Sequence, residues 1–197
     1  MQEQDNHPEI TKVVRQVFAH LMPRLFKGTA ITATDVYKIG HPAQYQNGTT
    51  RVVSNWTPRK SRIEGINKVV FFSQQAFIKQ FLMTEFDAWF KLDEDEAIRI
   101  FMRRIVNMMP PKSRISSDHV RALHRLQYLP ICVMSLPEGS RSHIRVPQSV
   151  IFNTLPEFYW LTNHIETIYS CEVWKGATSA TISAEYANIF DHYGLET

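Results

Sequence analysis

Tyr37 follows Asp35 by two residues in the run Thr34-Asp35-Val36-Tyr37-Lys38. A phenol ring in a short non-helical segment can stack on a flat heteroaromatic ring, a contact worth ~1 kcal/mol beyond area burial. Packing at a strand end is the plain alternative. Arg59 lies in Pro58-Arg59-Lys60-Ser61-Arg62. Guanidinium groups bind phosphate as a bidentate fork, and a loop of closely spaced cations concentrates such donors; a solvated basic loop is the competing reading. His41 reads as an orienting residue and His164 as a packed or surface one. Lys38, Glu138 and Glu166 read as structural. The 8 histidines include no metal-ligand spacing, and His119 and His124 do not share a helix face. Neither a P-loop nor a G-x-G-x-x-G fingerprint is present.

These side chains must be placed by helices and strands that the pattern locates. Pro156 and Glu157 suit a first helical turn, the proline having no amide hydrogen to waste and the carboxylate facing the positive end of the dipole. Phe158, Leu161, Ile165 and Ile168 then recur on one face, with Tyr159, Trp160, Tyr169 and Trp174 spreading apolar surface beyond it. A separate helical run is predicted from about Ala180 to Tyr193. Earlier, Gln74 to Phe90 reads as a helix with Phe77, Ile78, Phe81, Leu82, Phe86 and Trp89 inward. Asp93 and Glu96 form a capping box for a helix to Met109 that Pro110-Pro111 ends, and Ser117 is placed to cap a third, to about Gln127. Strands are predicted at Thr50–Trp56, Lys68–Phe72, Pro130–Ser135 and Ser149–Asn153, the last two around a Pro137-Glu138-Gly139 turn. The class is α+β, a mixed sheet with flanking helices. Residues 1–28 form an extension whose Glu9–Leu21 stretch has amphipathic spacing and stops at Pro23; residues 29–197 form the domain proper.

The chain has 197 residues, 44% hydrophobic and 12% aromatic, enough to bury a sizeable core. A net charge of +3 permits a phosphate-bearing ligand but lacks the concentrated basic face that nucleic acid needs. No apolar run reaches the roughly 20 residues of a membrane span, and Met1–Glu9 is no signal peptide, so a cytoplasmic protein is expected. Cys132 and Cys171 lack a C-x-x-C spacing and are expected as reduced, buried thiols.

The run from Tyr159 to Ile168 resembles the Y-W-L-T-N-x-I-E-T-I segment of nicotinamide phosphoribosyltransferases. Tyr128-Leu129-Pro130-Ile131 and Leu136-Pro137-Glu138-Gly139 resemble that family's L-P-I and P-E-G elements, and Thr34–Lys38 with His41–Tyr45 resembles T-D-x-Y-K followed by H-x-x-Q-Y. The resemblance runs from about Thr29 to the last residue and covers only the front of the family's chain. It implies the N-terminal part of a type II phosphoribosyltransferase fold. It also implies roles: Asp35 and Tyr37 reaching across a dimer into the partner's site, Tyr37 as one side of an aromatic sandwich around nicotinamide, and Arg59 near the phosphate end.

In that family the phosphoribosyl group passes from a diphosphate donor to the pyridine nitrogen, with Mg²⁺ and ATP implied for the complete enzyme. The second aromatic, the arginine of H-D-F-G-x-R-G, the aspartate that reads the amide and the phosphorylated histidine follow the point where this sequence stops. The expectation is therefore an N-terminal domain for NAD salvage that supplies dimer surface and contacts in trans and is insufficient alone. It would pair with itself or with a complementary C-terminal half, and nicotinamide and phosphoribosyl diphosphate would occupy the complete site. The alternatives are a non-catalytic module that pairs with a full-length enzyme, and an unrelated phosphate- or nucleic-acid-binding domain.

Overall fold

The computed structural model describes residues 28–109 and 115–194. The predicted Glu9–Leu21 helix and the Pro110-Pro111 stop lie outside the described residues. A three-stranded sheet forms the centre: β1 (Val53–Trp56), β3 (Ile131–Ser135) and β5 (Ser149–Asn153), in the order β1-β5-β3. The pairings are antiparallel, with Trp56 opposite Ser149 and Ile131 opposite Asn153. β2 (Lys68–Val70) pairs antiparallel with β4 (Arg141–His143) in a second sheet. The α+β class holds, and the sheet expected as mixed is two antiparallel sheets over these residues. β4 has no counterpart in the sequence reading, because Arg-Ser-His carries no apolar alternation to announce a strand. Backbone bonds from Phe71 N to Ser140 O and from Gly139 N to Phe71 O extend its ladder across the Pro137–Ser140 turn.

Strand boundaries follow from where backbone donors go. Val52, expected inside the first strand, gives its N–H to the Asn153 side-chain oxygen at 2.9 Å instead of to a neighbouring strand. The Asn153 amide in turn donates to Thr50 O and Leu155 O, both at 2.8 Å. One side chain, 1% exposed, thus clamps the lead-in to β1 and the exit from β5.

The predicted Gln74–Phe90 helix is present but is not α-helical throughout: α1 (Gln74–Phe77) passes into a π-helical stretch (Ile78–Glu85) and then α2 (Phe86–Phe90). Thr84 Oγ1 donates to Lys79 O, five residues back. The wider turn explains how Phe81 and Phe86, five apart, both face the core, with ring centroids 5.5 Å apart. Phe71, Phe86, Trp89 and Phe101 are all at most 1% exposed there, each worth roughly 3–5 kcal/mol if cut back to alanine.

α3 (Glu94–Met108) starts at the predicted cap, Asp93 Oδ1 accepting from the Asp95 and Glu96 amides, while the Glu96 carboxylate pairs with Arg99 instead of closing the box. α4 (Asp118–Leu126) does not: Ser117 makes no side-chain cap bond, and Ser116 Oγ accepts from Asp118 N at 3.0 Å.

The largest departure is at the C-terminal end. After a 3-10 turn at Pro156–Phe158, α5 runs unbroken from Leu161 to Gly194, where two helical runs are predicted. Thr181 carries the helix through the Ser/Thr-rich stretch. Its hydroxyl donates to Ala177 O at 2.7 Å and accepts from Val70 N of β2 at 2.9 Å. The buried face reads Leu161, Ile165, Tyr169, Val173, Ala177 and Thr181; Ile168 is only partly buried. Phe158 and Trp160 are 3% exposed, so neither is available as the intermolecular surface that a domain of this composition invites.

Candidate functional site

Asp35 precedes a 3-10 helix, Val36–Ala43, that crosses the first turns of α5. As N-cap it makes no side-chain cap bond; its Oδ2 accepts instead from Thr167 Oγ1 on α5, at 2.7 Å. Lys38 points inward with its side chain 4% exposed and places Nζ 2.7 Å from Glu166 Oε1 and 3.8 Å from Asp35 Oδ2. The second Glu166 oxygen accepts from Ser54 Oγ of β1 at 2.5 Å. Strand alternation turns Ser54 and Trp56 toward α5 while Val53 stays 60% exposed.

Tyr37 points outward and is 63% exposed. Its ring lies 5.4 Å from the His41 ring, tilted by 57°, and 6.0 Å from Lys38 Nζ. Partial desolvation, and then the Asp35 carboxylate, raise its phenol above the ordinary value of 10.0. His41 touches Tyr45, whose hydroxyl meets Asn163 Nδ2 of α5, so the 3-10 segment is tied to the helix at both ends.

These groups surround a cavity of about 560 Å³ whose lining includes Asp35, Tyr37, Lys38, Arg59, Glu166 and Cys171. The structure therefore brings together Asp35, Tyr37 and Arg59, the three residues singled out from sequence. Arg59 forms no ion pair among the described residues. Its guanidinium is a second cation of a cavity whose lysine is already engaged.

Lys38 and Glu166, read from sequence as structural, also line the cavity. They stand 128 residues apart, and no periodicity connects them. Cys171, expected buried, is exposed at the cavity, and Cys132 is half-buried; both are free thiols.

Three further groups are shifted by burial, and of these Tyr169 also lines the cavity. Burial pushes His164 down to about 4, its Nε2 lying 2.6 Å from Ile31 O. Burial likewise lowers His119 to about 4. Both rings pack edge-on against Trp160, at 5.4 and 4.7 Å. The packed reading of His164 fits this geometry. Burial raises Tyr169 to about 12, and its hydroxyl donates to Gln74 Oε1 at 2.6 Å.

Residues 29–107 match the family model described as nicotinamide phosphoribosyltransferase, N-terminal domain. Over 178 residues, 87% of this chain, the sequence is 40% identical to a nicotinamide phosphoribosyltransferase of Acinetobacter baylyi, of which those residues span 35%. The chain is similar, over most of its length, to the N-terminal portion of nicotinamide phosphoribosyltransferases. A nicotinamide phosphoribosyltransferase of Mycoplasma pneumoniae is 24% identical over 181 residues, 85% of this chain and 40% of that protein. The fold is similar to the crystal structure of human nicotinic acid phosphoribosyltransferase, with a TM-score of 0.53 and 21% identity over 77% of this chain and 27% of that one. The chain thus spans well under half the length of the phosphoribosyltransferases it matches. The segment that carries Asp35, Tyr37 and Arg59 lies inside the matched N-terminal domain. No helix among the described residues is long and apolar enough to cross a membrane.

Proposed function

We propose that this chain supplies part of a nicotinamide phosphoribosyltransferase site for NAD salvage, together with dimer surface, and that it is not catalytic alone. The observation that supports this is the convergence of Asp35, Tyr37 and Arg59 on one cavity in a chain similar to that enzyme. Tyr37 stacks on the pyridine ring of nicotinamide, Asp35 accepts a hydrogen bond at the same end, and Arg59 holds phosphate of phosphoribosyl diphosphate. The exposure of Tyr37 suits a ring bound by a second copy or by a complementary C-terminal half. Residues 1–28 serve as an extension to the domain that begins at residue 29.

Mg²⁺ and ATP belong to the complete enzyme in this reading. Among the described residues no group of three or more His, Cys, Asp or Glu could hold a metal ion. None of the roles above runs through a metal cation. A cytoplasmic location accords with a role in nucleotide salvage.

The test mixes the full chain with the separately produced remainder of the Acinetobacter relative. Nicotinamide mononucleotide is then measured from nicotinamide, phosphoribosyl diphosphate, Mg²⁺ and ATP. Product is expected from the mixture and from neither part. Turnover by the pure chain would overturn its insufficiency, and a mixture that stays inactive would favour the second reading. That reading is a non-catalytic module, supported by exposed Trp174, Tyr186 and Phe190 along α5, which suit contact with another protein.

A further inference from the structure

The geometry points to Lys38 and Glu166 as positioning residues that hold Asp35 and Tyr37 over the cavity. The inference rests on the proposed function for its chemistry and on the structure alone for its mechanics. One ammonium touches both site residues: Lys38 Nζ is 3.8 Å from the Asp35 carboxylate and 6.0 Å from the centroid of the Tyr37 ring. The first contact fixes the carboxylate's side, and the second draws the ring's electron-rich face toward the cation.

An ammonium this buried needs a fixed counterion, and Glu166 provides it at 2.7 Å. The carboxylate cannot swing away freely, because Ser54 Oγ holds its other oxygen at 2.5 Å and the backbone beneath it is helical. Through this ion pair the middle of the 3-10 segment is registered against both α5 and β1. Thr167, next to Glu166, holds Asp35 independently. Tyr37 has no such clip to α5; its other neighbours, the Asp35 carboxylate and the His41 ring, belong to its own segment. The consequence is specific. Loss of the ion pair should release Tyr37 more than Asp35, and so should weaken pyridine binding rather than the chemical step.

The test uses the full chain carrying Lys38→Met, Glu166→Gln, or the double change Lys38→Met with Glu166→Leu. The double change removes both charges and leaves an apolar pair that keeps the chain folded if a single variant does not. Amide exchange is read first, on the chain alone. Exchange over Val36–Ala43 should rise about ten-fold in the variants while the β1-β5-β3 ladder is unchanged. In the complemented assay, the double variant should raise KM for nicotinamide about ten-fold and leave kcat and the KM for phosphoribosyl diphosphate near those of the parent. Parent-like exchange over Val36–Ala43, or a double variant with parent-like KM for nicotinamide, would overturn the inference. Tyr37→Ala serves as the control: if it leaves KM for nicotinamide unaltered, the functional reading fails, while the exchange result still decides the anchor.

Discussion

Gly176 on α5 faces Ser73 with no room for a side chain between them: a Cβ on residue 176 would lie 2.1 Å from the Ser73 Cβ and 2.7 Å from its Oγ. Ser73 itself sits at φ 82°, a left-handed conformation that suits glycine better. Gly176→Ala should therefore cost about 2 kcal/mol or more, because two elements must move apart. Ser73→Gly should be neutral or slightly stabilising, and the double variant should recover most of the loss. Thermal melts of the three variants decide it, and additive losses would show that the clash lies elsewhere.

Acid should destabilise the fold through two imidazoles. His119 and His164 both titrate near 4 when folded, against 6.5 for an ordinary histidine. Between those values the unfolded chain binds more protons, so stability is fully present above about pH 6.5 and falls as pH drops toward 4. Each group contributes at most roughly 3 kcal/mol over that window. Denaturant midpoints at pH 7 and pH 5 should differ, and His164→Gln should shrink the difference. A midpoint independent of pH over that range would refute the assignment.

Tyr37→Ala should leave the melt of the chain within ~0.5 kcal/mol of the parent, as for a surface substitution. In the complemented enzyme it should weaken nicotinamide use by ~1–2 kcal/mol, and Tyr37→Phe should lose much less because stacking needs only the ring. A melt lowered as far as a core tyrosine demands would return Tyr37 to a structural role.

Asn153→Leu should be among the most damaging polar substitutions, since Val52 N, Thr50 O and Leu155 O would all lose their partner in a buried setting. A loss of about 3 kcal/mol is expected, with early exchange of the Val52 amide.

The chain should self-associate at high concentration. The contributors are the exposed Trp174, Tyr186 and Phe190, the last of these 70% exposed. Tyr186→Glu with Phe190→Glu should shift light scattering toward monomer. An oligomer that these changes leave unaltered would place the contact on another face, and a parent that stays monomeric would refute the prediction.

What could be read in advance was local. The Asp93 cap and the inward set Phe77, Phe81, Phe86 and Trp89 depend on neighbours within a turn or two, and the structure contains them. Asp35, Tyr37 and Arg59 were legible through short motifs and side-chain chemistry, and one cavity collects them. The misses were long-range. The Ser/Thr-rich stretch after Gly176 looks like a helix break until Val70 N is seen to dock on Thr181. β4 exists because β2 lies beside it. The salt bridge from Lys38 to Glu166 joins two residues with no shared pattern, and only the fold could reveal it.

At 34 residues, α5 is a rod about 50 Å long. Its first turns carry Glu166 and Thr167 at the cavity, and its last turns carry exposed aromatic side chains with no covering element among the described residues. The turn that carries Phe190 therefore lies about 36 Å along the axis from the turn that carries Glu166, with the Gly176–Ser73 contact and the Val70–Thr181 bond fastening the helix between them.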